Sequence, residues 1–129
     1  MSSRFLSLSA PLCVLTLTLG LICLVAGVRA EEEGERIFRS TCGICHTVQP
    51  GQNRVGPSLA GIVGRKAGTA SGFNYSEVNK NSDIVWDEAQ LDSYLADPKQ
   101  FMRGNRMMYA GMKDAERRKA LIAYLRDAK

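Results

Sequence analysis

The chain has 129 residues, 45% of them hydrophobic, and a formal net charge of +4 at pH 7. Arg4 and Arg29 carry two of those charges, so residues 31–129 have a net charge of only +2. This length fits one domain, and so small a charge gives no reason to expect a nucleic-acid partner.

Residues 1–30 have the pattern of a secretory signal. Arg4 precedes an uncharged stretch from Phe5 to Val28 that is rich in Leu and Val, and the segment ends with Ala30. A basic start, an apolar run and small final residues are typical of a signal peptide, here predicted to be cleaved after Ala30. An uncleaved anchor is the alternative, because about 20 apolar residues can span a bilayer. Either way, the domain of residues 31–129 is expected to face the periplasm.

The first predicted helix, about residues 33–45, leads into the motif Cys42-Gly43-Ile44-Cys45-His46. C-x-x-C-H is the attachment signature of c-type haem. On a helical turn Cys42 and Cys45 face the same side, so each can form a thioether to the porphyrin. His46 then offers an imidazole nitrogen to the iron. The motif therefore predicts one covalently bound haem c.

Zinc and thioredoxin-type chemistry are the alternatives for this motif. Zinc needs about four ligands, but Cys42 and Cys45 are the only cysteines after residue 30 and His46 is the only histidine. A thioredoxin motif follows a buried strand, whereas residues 34–41 are typical of a helix. Haem remains the favoured cofactor, and it leaves no cysteine for a disulfide.

The rest of the chain predicts an all-α domain with long loops. Residues 46–75 are rich in Gly and Pro, which favours a loop with at most a helical turn at Ser58–Val63. Ser76 is expected to cap a short helix through Asn79. Asp87 to Gln90 resembles a capping box, and Pro98 should end the helix that it opens.

A second predicted loop, Lys99 to Met112, precedes a final helix over about residues 115–128. Asp114 is placed to cap this helix. Its apolar residues recur at helical spacing; they are Ala120, Leu121, Tyr124, Leu125 and Ala128.

The second axial ligand of the iron is predicted to be a methionine. A second histidine is excluded, since His46 is the only one. Met102, Met107, Met108 and Met112 crowd the second loop, and His/Met ligation raises the reduction potential of a haem. Spacing alone does not choose among the four methionines.

These runs resemble the class I cytochromes c, near the mitochondrial cytochrome c and bacterial cytochrome c2 group. The resemblance covers the whole of residues 31–129. It rests on Cys42–Val48, Val55–Lys66, Phe73–Tyr75, Asn79–Asn81, Ile84–Trp86, Tyr94–Leu95, Pro98–Lys99, Met107–Lys113 and Leu121–Leu125. It implies a fold in which N- and C-terminal helices pack together, with loops and short helices around one haem.

The resemblance also implies roles for individual residues. It puts the sixth ligand at Met107, directly after Arg106, and a backbone carbonyl at Pro57 that accepts from His46. Arg65, Tyr75 and Trp86 are implied to bind the haem propionates. Asn79 and Tyr94 are implied in the polar network near Met107. Asn105 stands where the family has Thr and can donate to a propionate.

The function that the resemblance implies is that of a soluble, monomeric carrier of single electrons. With both axial positions filled, an enzyme is not expected. Its partners would be redox proteins, such as a cytochrome bc1-type complex, an oxidase, a reaction centre or a dehydrogenase. They would meet the haem edge and the basic residues near it, which are Arg36, Lys99, Arg106 and Lys113. Alternatives are a membrane-anchored cytochrome, a permanent subunit of an oxidoreductase, and a peroxidase or sensor whose methionine dissociates.

Three departures from the family pattern accompany this resemblance. Arg103-Gly104-Asn105 stands where the family has Pro-Gly-Thr, and Tyr109 stands where it usually has Phe. Several lysines that ring the haem edge in mitochondrial proteins are missing. Their places hold Thr41, Gln100 and Asp114.

Overall fold

The computed structural model describes residues 31–128. Helix α1 occupies residues 31–37 and continues as a π-helical segment, Phe38–Cys42. Four helices follow: α2 Glu77–Lys80, α3 Glu88–Ala96, α4 Pro98–Phe101 and α5 Ala115–Asp127. Over this range no strand forms, and one isolated antiparallel bridge joins Lys66 to Val85. The predicted all-α class is confirmed, whereas the predicted leader, residues 1–30, lies outside the described residues.

Helices α1 and α5 cross at Gly34. A Cβ atom at Gly34 would lie 2.2 Å from the carbonyl oxygen of Ala120 and 2.7 Å from Cβ of Tyr124. Only glycine allows so close an approach of the two helices. One turn further along, the rings of Phe38 and Tyr124 have centroids 5.5 Å apart. The crossing therefore fixes the end of α1, where the cysteine motif begins, against the C-terminal helix.

The core is a single apolar cluster drawn from helices and loops. Leu121, Ile122 and Leu125 supply the face of α5, and Leu91 supplies that of α3. The rest of the cluster comes from α1 and the loops; it consists of Ile37, Phe38, Ile62, Ala67, Trp86, Met102 and Met112. Among the described residues, no helix has the length and apolarity to cross a membrane.

Two of the three predicted caps are confirmed. The side chain of Asp87 accepts from the amide of Gln90 at the start of α3, and that of Asp114 accepts from Glu116 and Arg117 at the start of α5. Ser76 does precede α2, but its side chain does not cap the helix. Its hydroxyl lies 2.6 Å from Oδ1 of Asn79 instead.

The loop predicted for residues 46–75 is confirmed at residues 58–63, which contain turns but no helix. Two predicted boundaries were wrong. The first helix stops at Cys42, and residues 43–45 form a turn. The predicted loop after Pro98 opens with α4, because proline suits the first turn of a helix and Asp97 accepts from the amide of Gln100 at 3.1 Å.

Candidate functional site

The turn after α1 brings the two cysteines and the histidine together. The amides of Cys45 and His46 both donate to the carbonyl of Cys42, at 3.0 and 2.8 Å. Both thiols are free. Burial, and secondarily the neighbouring Cys45, raises the pKa of the Cys42 thiol to about 11. One turn thus presents two unpaired thiols and an imidazole.

The ring of His46 is held by the loop that follows it. Its Nδ1 lies 2.8 Å from the carbonyl of Pro57. A carbonyl only accepts, so Nδ1 carries the proton and donates. Burial lowers the pKa of His46, although the hydrogen bond to Pro57 opposes this effect. The ring is therefore neutral at pH 7, and Nε2 keeps a free lone pair.

The backbone at Gly56 packs directly on this imidazole. A Cβ atom there would lie 2.3 Å from Cε1 of His46. The amide of Gly56 donates to the carbonyl of Cys45 at 2.8 Å, which ties the loop to the motif. Over the described part of the chain, Nε2 of His46 has no hydrogen-bond partner. That nitrogen is oriented and remains available as a metal ligand.

The three residues expected at the propionates are brought together. The amide of Trp86 donates to the carbonyl of Arg65 at 2.9 Å. The Arg65 guanidinium donates to the carbonyls of Ser58 and Ala60, at 2.9 and 3.0 Å. Burial lowers the pKa of Arg65, and its interaction with Tyr75 opposes this. A half-buried cation thus lies near a phenol and the tryptophan.

The four methionines of the second loop lie in different surroundings. Met102 and Met112 are core residues, each 6% exposed, whereas Met108 is 90% exposed. Met107 is half-buried, and its sulfur lies 3.8 Å from the hydroxyl of Tyr94. Of the four, only Met107 is neither enclosed by the core nor turned fully to solvent.

Tyr94 links this sulfur to the aromatic core. Its ring centroid lies 4.8 Å from that of Trp86 and 5.7 Å from that of Phe101. Burial, and secondarily Tyr75, raises the pKa of Tyr94 to about 12. Its hydroxyl therefore stays protonated at neutral pH and can donate to the sulfur of Met107.

Two predicted site residues make contacts other than those expected. Nδ2 of Asn79 lies 3.0 Å from the sulfur of Met102, not that of Met107. Asn105 donates from Nδ2 to the carbonyls of Pro98 and Met102, at 2.7 Å each. Its Oδ1 accepts from the amide of Met107 at 2.9 Å. Both side chains thus contact the methionine loop itself.

Residues 31–129 match the family model described as cytochrome c. The chain belongs to the cytochrome c family. Cytochrome c2 iso-2 of Magnetospirillum molischianum is 52% identical over 88 residues, 68% of this chain and 91% of that protein. Cytochrome c of Chlamydomonas reinhardtii is 47% identical over 96 residues, 74% of this chain and 86% of that protein. The solved structure of cytochrome cH from Methylobacterium extorquens superposes with a TM-score of 0.69 and 41% sequence identity. The match covers 73% of this chain and 94% of that chain.

Membership of the cytochrome c family identifies the cofactor as one haem c, bound covalently through Cys42 and Cys45. The donor groups of this chain fit that cofactor. The two thiols are free and lie on one turn. Next to them, His46 presents an unprotonated nitrogen that no other described group occupies.

Sequence reasoning missed one buried cation of this cytochrome, Arg118. Its guanidinium pairs with Asp92 on α3, with Nε 2.7 Å from Oδ1, and it donates to the carbonyls of Met112 and Lys113 at 2.8 and 3.0 Å. The available signal was its position three residues before Leu121, on the apolar face of the helix. Arg118 joins α3, α5 and the end of the methionine loop.

Proposed function

We propose that this protein is a soluble, exported carrier of single electrons, whose haem iron is held between His46 and Met107. When bound, the haem supplies the one-electron chemistry through its iron. The protein orients the two axial side chains, keeps water away and sets the potential. His/Met ligation favours a raised potential.

The contrast among the four methionines is the observation that carries this proposal. Met102 and Met112 are buried in the core, and Met108 is exposed to solvent. Met107 alone combines a half-buried side chain with a hydroxyl donor at its sulfur, that of Tyr94. Since His46 is the only histidine of the chain, Met107 is the side chain best suited to complete the axial pair.

An electron carrier fits these side chains better than an enzyme. If His46 and Met107 both bind the iron, as proposed, no coordination position would remain for a substrate. No residue is then needed to bind or protonate a reacting group. The neutral hydroxyl of Tyr94 instead donates to the sulfur, and the buried Trp86 lies beside it. Both favour a dry, rigid site that changes little when the electron arrives.

The proposed partners are redox proteins with an acidic docking surface. The candidate basic residues are exposed. Arg106 donates to the carbonyl of Asn74. Arg36 makes two bonds to Glu33, at 2.7 and 2.9 Å, and Lys113 contacts Asp97 at 3.4 Å. Exposed pairs of this kind contribute little, about 0–1 kcal/mol, so a partner can compete for the cations. The expected complexes are weak, short-lived and salt-sensitive, with a bc1-type complex, an oxidase, a reaction centre or a dehydrogenase.

The proposed location is the periplasm, after cleavage behind Ala30. The anchored alternative shares the same site chemistry, so the N-terminus separates the two. Mass spectrometry of the native protein should give a chain that starts at Glu31, recovered from the soluble periplasmic fraction. A chain that retains residues 1–30 and sediments with membranes would favour the anchored carrier.

The ligation is tested by two matched variants, Met107→Leu and Met108→Leu. The wild-type ferric protein should show the Met-to-iron charge-transfer band. Met107→Leu should abolish that band and lower the potential by roughly a few tenths of a volt, within the range of about 0.8 V that axial ligands span. Met108→Leu should change neither. If Met107→Leu keeps the band, another group is the sixth ligand.

A further inference from the structure

We propose that Asn105 is the residue that positions Met107. Its carboxamide braces the methionine loop against α4 and so keeps the sulfur in place at the iron. This inference rests on the proposed ligation by Met107. It adds that Asn105 determines how firmly that ligand is held.

The carboxamide of Asn105 makes three hydrogen bonds to backbone. Nδ2 donates to the carbonyls of Pro98 and Met102, both at 2.7 Å, and Oδ1 accepts from the amide of Met107 at 2.9 Å. An amide side chain has two N–H donors, and here both are used. One side chain therefore joins the backbone of Met107 to both ends of α4, the first residue and the residue that follows the last.

Helix α4 is a firm anchor for such a brace. The carboxylate of Asp97 caps its start, and Pro98 at its first position is fully buried. The ring of Phe101 packs on those of Trp86 and Tyr94. Met102, which follows the helix, is a core residue. The two carbonyls that accept hydrogen bonds from Asn105 thus belong to residues packed in the interior.

Two other contacts restrain the backbone between α4 and Met107. The amide of Asn105 donates to the carbonyl of Met102 at 3.2 Å, and the guanidinium of Arg106 donates to the carbonyl of Asn74. Gly104 is exposed and has φ +91°, in the left-handed region, where glycine is permissive rather than rigid. Among the described residues, the amide of Met107 has Asn105 as its only partner. Loss of the carboxamide would leave that amide unbonded, and only those two contacts would hold the approach to Met107.

The far end of the loop is attached independently. The amide of Met112 donates to the carbonyl of Leu95 at 2.8 Å, and Arg118 donates to the carbonyl of Met112. These contacts do not involve Asn105. Variants at Asn105 should therefore free one end of the loop while the other stays docked. Ligand dissociation should become easier without unfolding of the domain.

The experiment compares two variants with a matched control, all as holoprotein. Asn105→Ala removes all three bonds, and Asn105→Asp removes the two donors while keeping an acceptor for the amide of Met107. The control is Asn81→Ala, because Asn81 is an exposed asparagine that directly follows α2.

The readout is competition between Met107 and added imidazole for the ferric iron. Imidazole binds only when the methionine is off, so its apparent affinity follows that population. Asn105→Ala should bind imidazole at least about tenfold more tightly, the effect expected when even one hydrogen bond of ordinary strength is lost. It should also weaken the Met-to-iron band, and so should Asn105→Asp, whose carboxylate cannot donate to the carbonyls of Pro98 and Met102. Asn81→Ala should match the wild type in both measurements.

The possible outcomes separate failure of the positioning role from failure of the proposed ligation. Unchanged imidazole affinity in Asn105→Ala would overturn the positioning role, even with a lower melting temperature. A band that persists in Met107→Leu would instead overturn the proposed ligation. If the Asn105 variants fail to mature, hydrogen exchange of the wild-type Met107 amide decides. Slow exchange supports the brace, and exchange as fast as that of a free loop amide refutes it.

Discussion

The histidine side and the methionine side of the site are held in different ways. His46 follows two cysteines that bind the haem covalently, and its ring is confined between the carbonyl of Pro57 and the backbone of Gly56. Met107 lies in a loop attached by side chains, chiefly Asn105 before it and Arg118 beyond it. In the proposed ligation, the histidine is therefore the more firmly held ligand, and the methionine is the one that structural changes should loosen first.

The largest effect is expected from Gly56→Ala, on the histidine side. The new Cβ would lie 2.3 Å from the imidazole, so the ring must move away from Pro57. We expect a loss of about 2–3 kcal/mol in the free energy of unfolding, as for other overpacked sites, and a shifted potential. Denaturant unfolding and redox titration of the holoprotein measure both. Gly43→Ala is the control, because its Cβ would lie 3.1 Å from its nearest neighbour, the carbonyl oxygen of Arg39.

Gly111→Ala probes the corresponding contact on the methionine side. Gly111 has φ +99°, and a Cβ would lie 2.4 Å from the carbonyl oxygen of Ala96. We expect a loss of about 2 kcal/mol in the free energy of unfolding, together with a weaker Met-to-iron band. A loss of stability with an unchanged band would show that this end of the loop does not control the ligand.

Arg118→Met should have a smaller effect on ligation than on stability. The change leaves the carbonyls of Met112 and Lys113 without their donor and removes the pair with Asp92. The melting temperature should fall clearly below that of Arg117→Met, which alters an exposed neighbour on α5. Equal melting temperatures for the two variants would contradict a structural role for Arg118.

The smallest effect is a pH dependence at Asp97. The amide of Gln100, and secondarily Lys113, lowers the pKa of this carboxyl below its usual value. The carboxylate therefore stabilises the fold above the unfolded-state pKa of about 3.9, and this is lost as the pH falls through the lower folded value. The stability difference between wild type and Asp97→Asn should shrink below about pH 4. A difference that stays constant down to acid unfolding would contradict this.

Local patterns predicted those parts of the molecule that depend on neighbours in sequence. Helix α5 follows from its apolar spacing and from Asp114, whose cap is confirmed. Helix α4 was missed, because four residues are too few to show a period and its support comes from Asp97 and the packing of Phe101. The prediction that the hydroxyl of Ser76 caps α2 was wrong, because that hydroxyl bonds the side chain of Asn79 instead.

The sequence by itself determined the chemistry that five consecutive residues can hold. Cys42, Cys45 and His46 lie on one turn whatever surrounds them, and a single histidine excludes a second imidazole ligand. The resemblance pointed to Met107 among the four methionines, but only the tertiary structure showed that its side chain is half-buried beside Tyr94 and that Asn105 ties its amide to α4. Burial and hydrogen-bond partners depend on segments far apart in the chain, so the spacing of residues in one loop does not contain them.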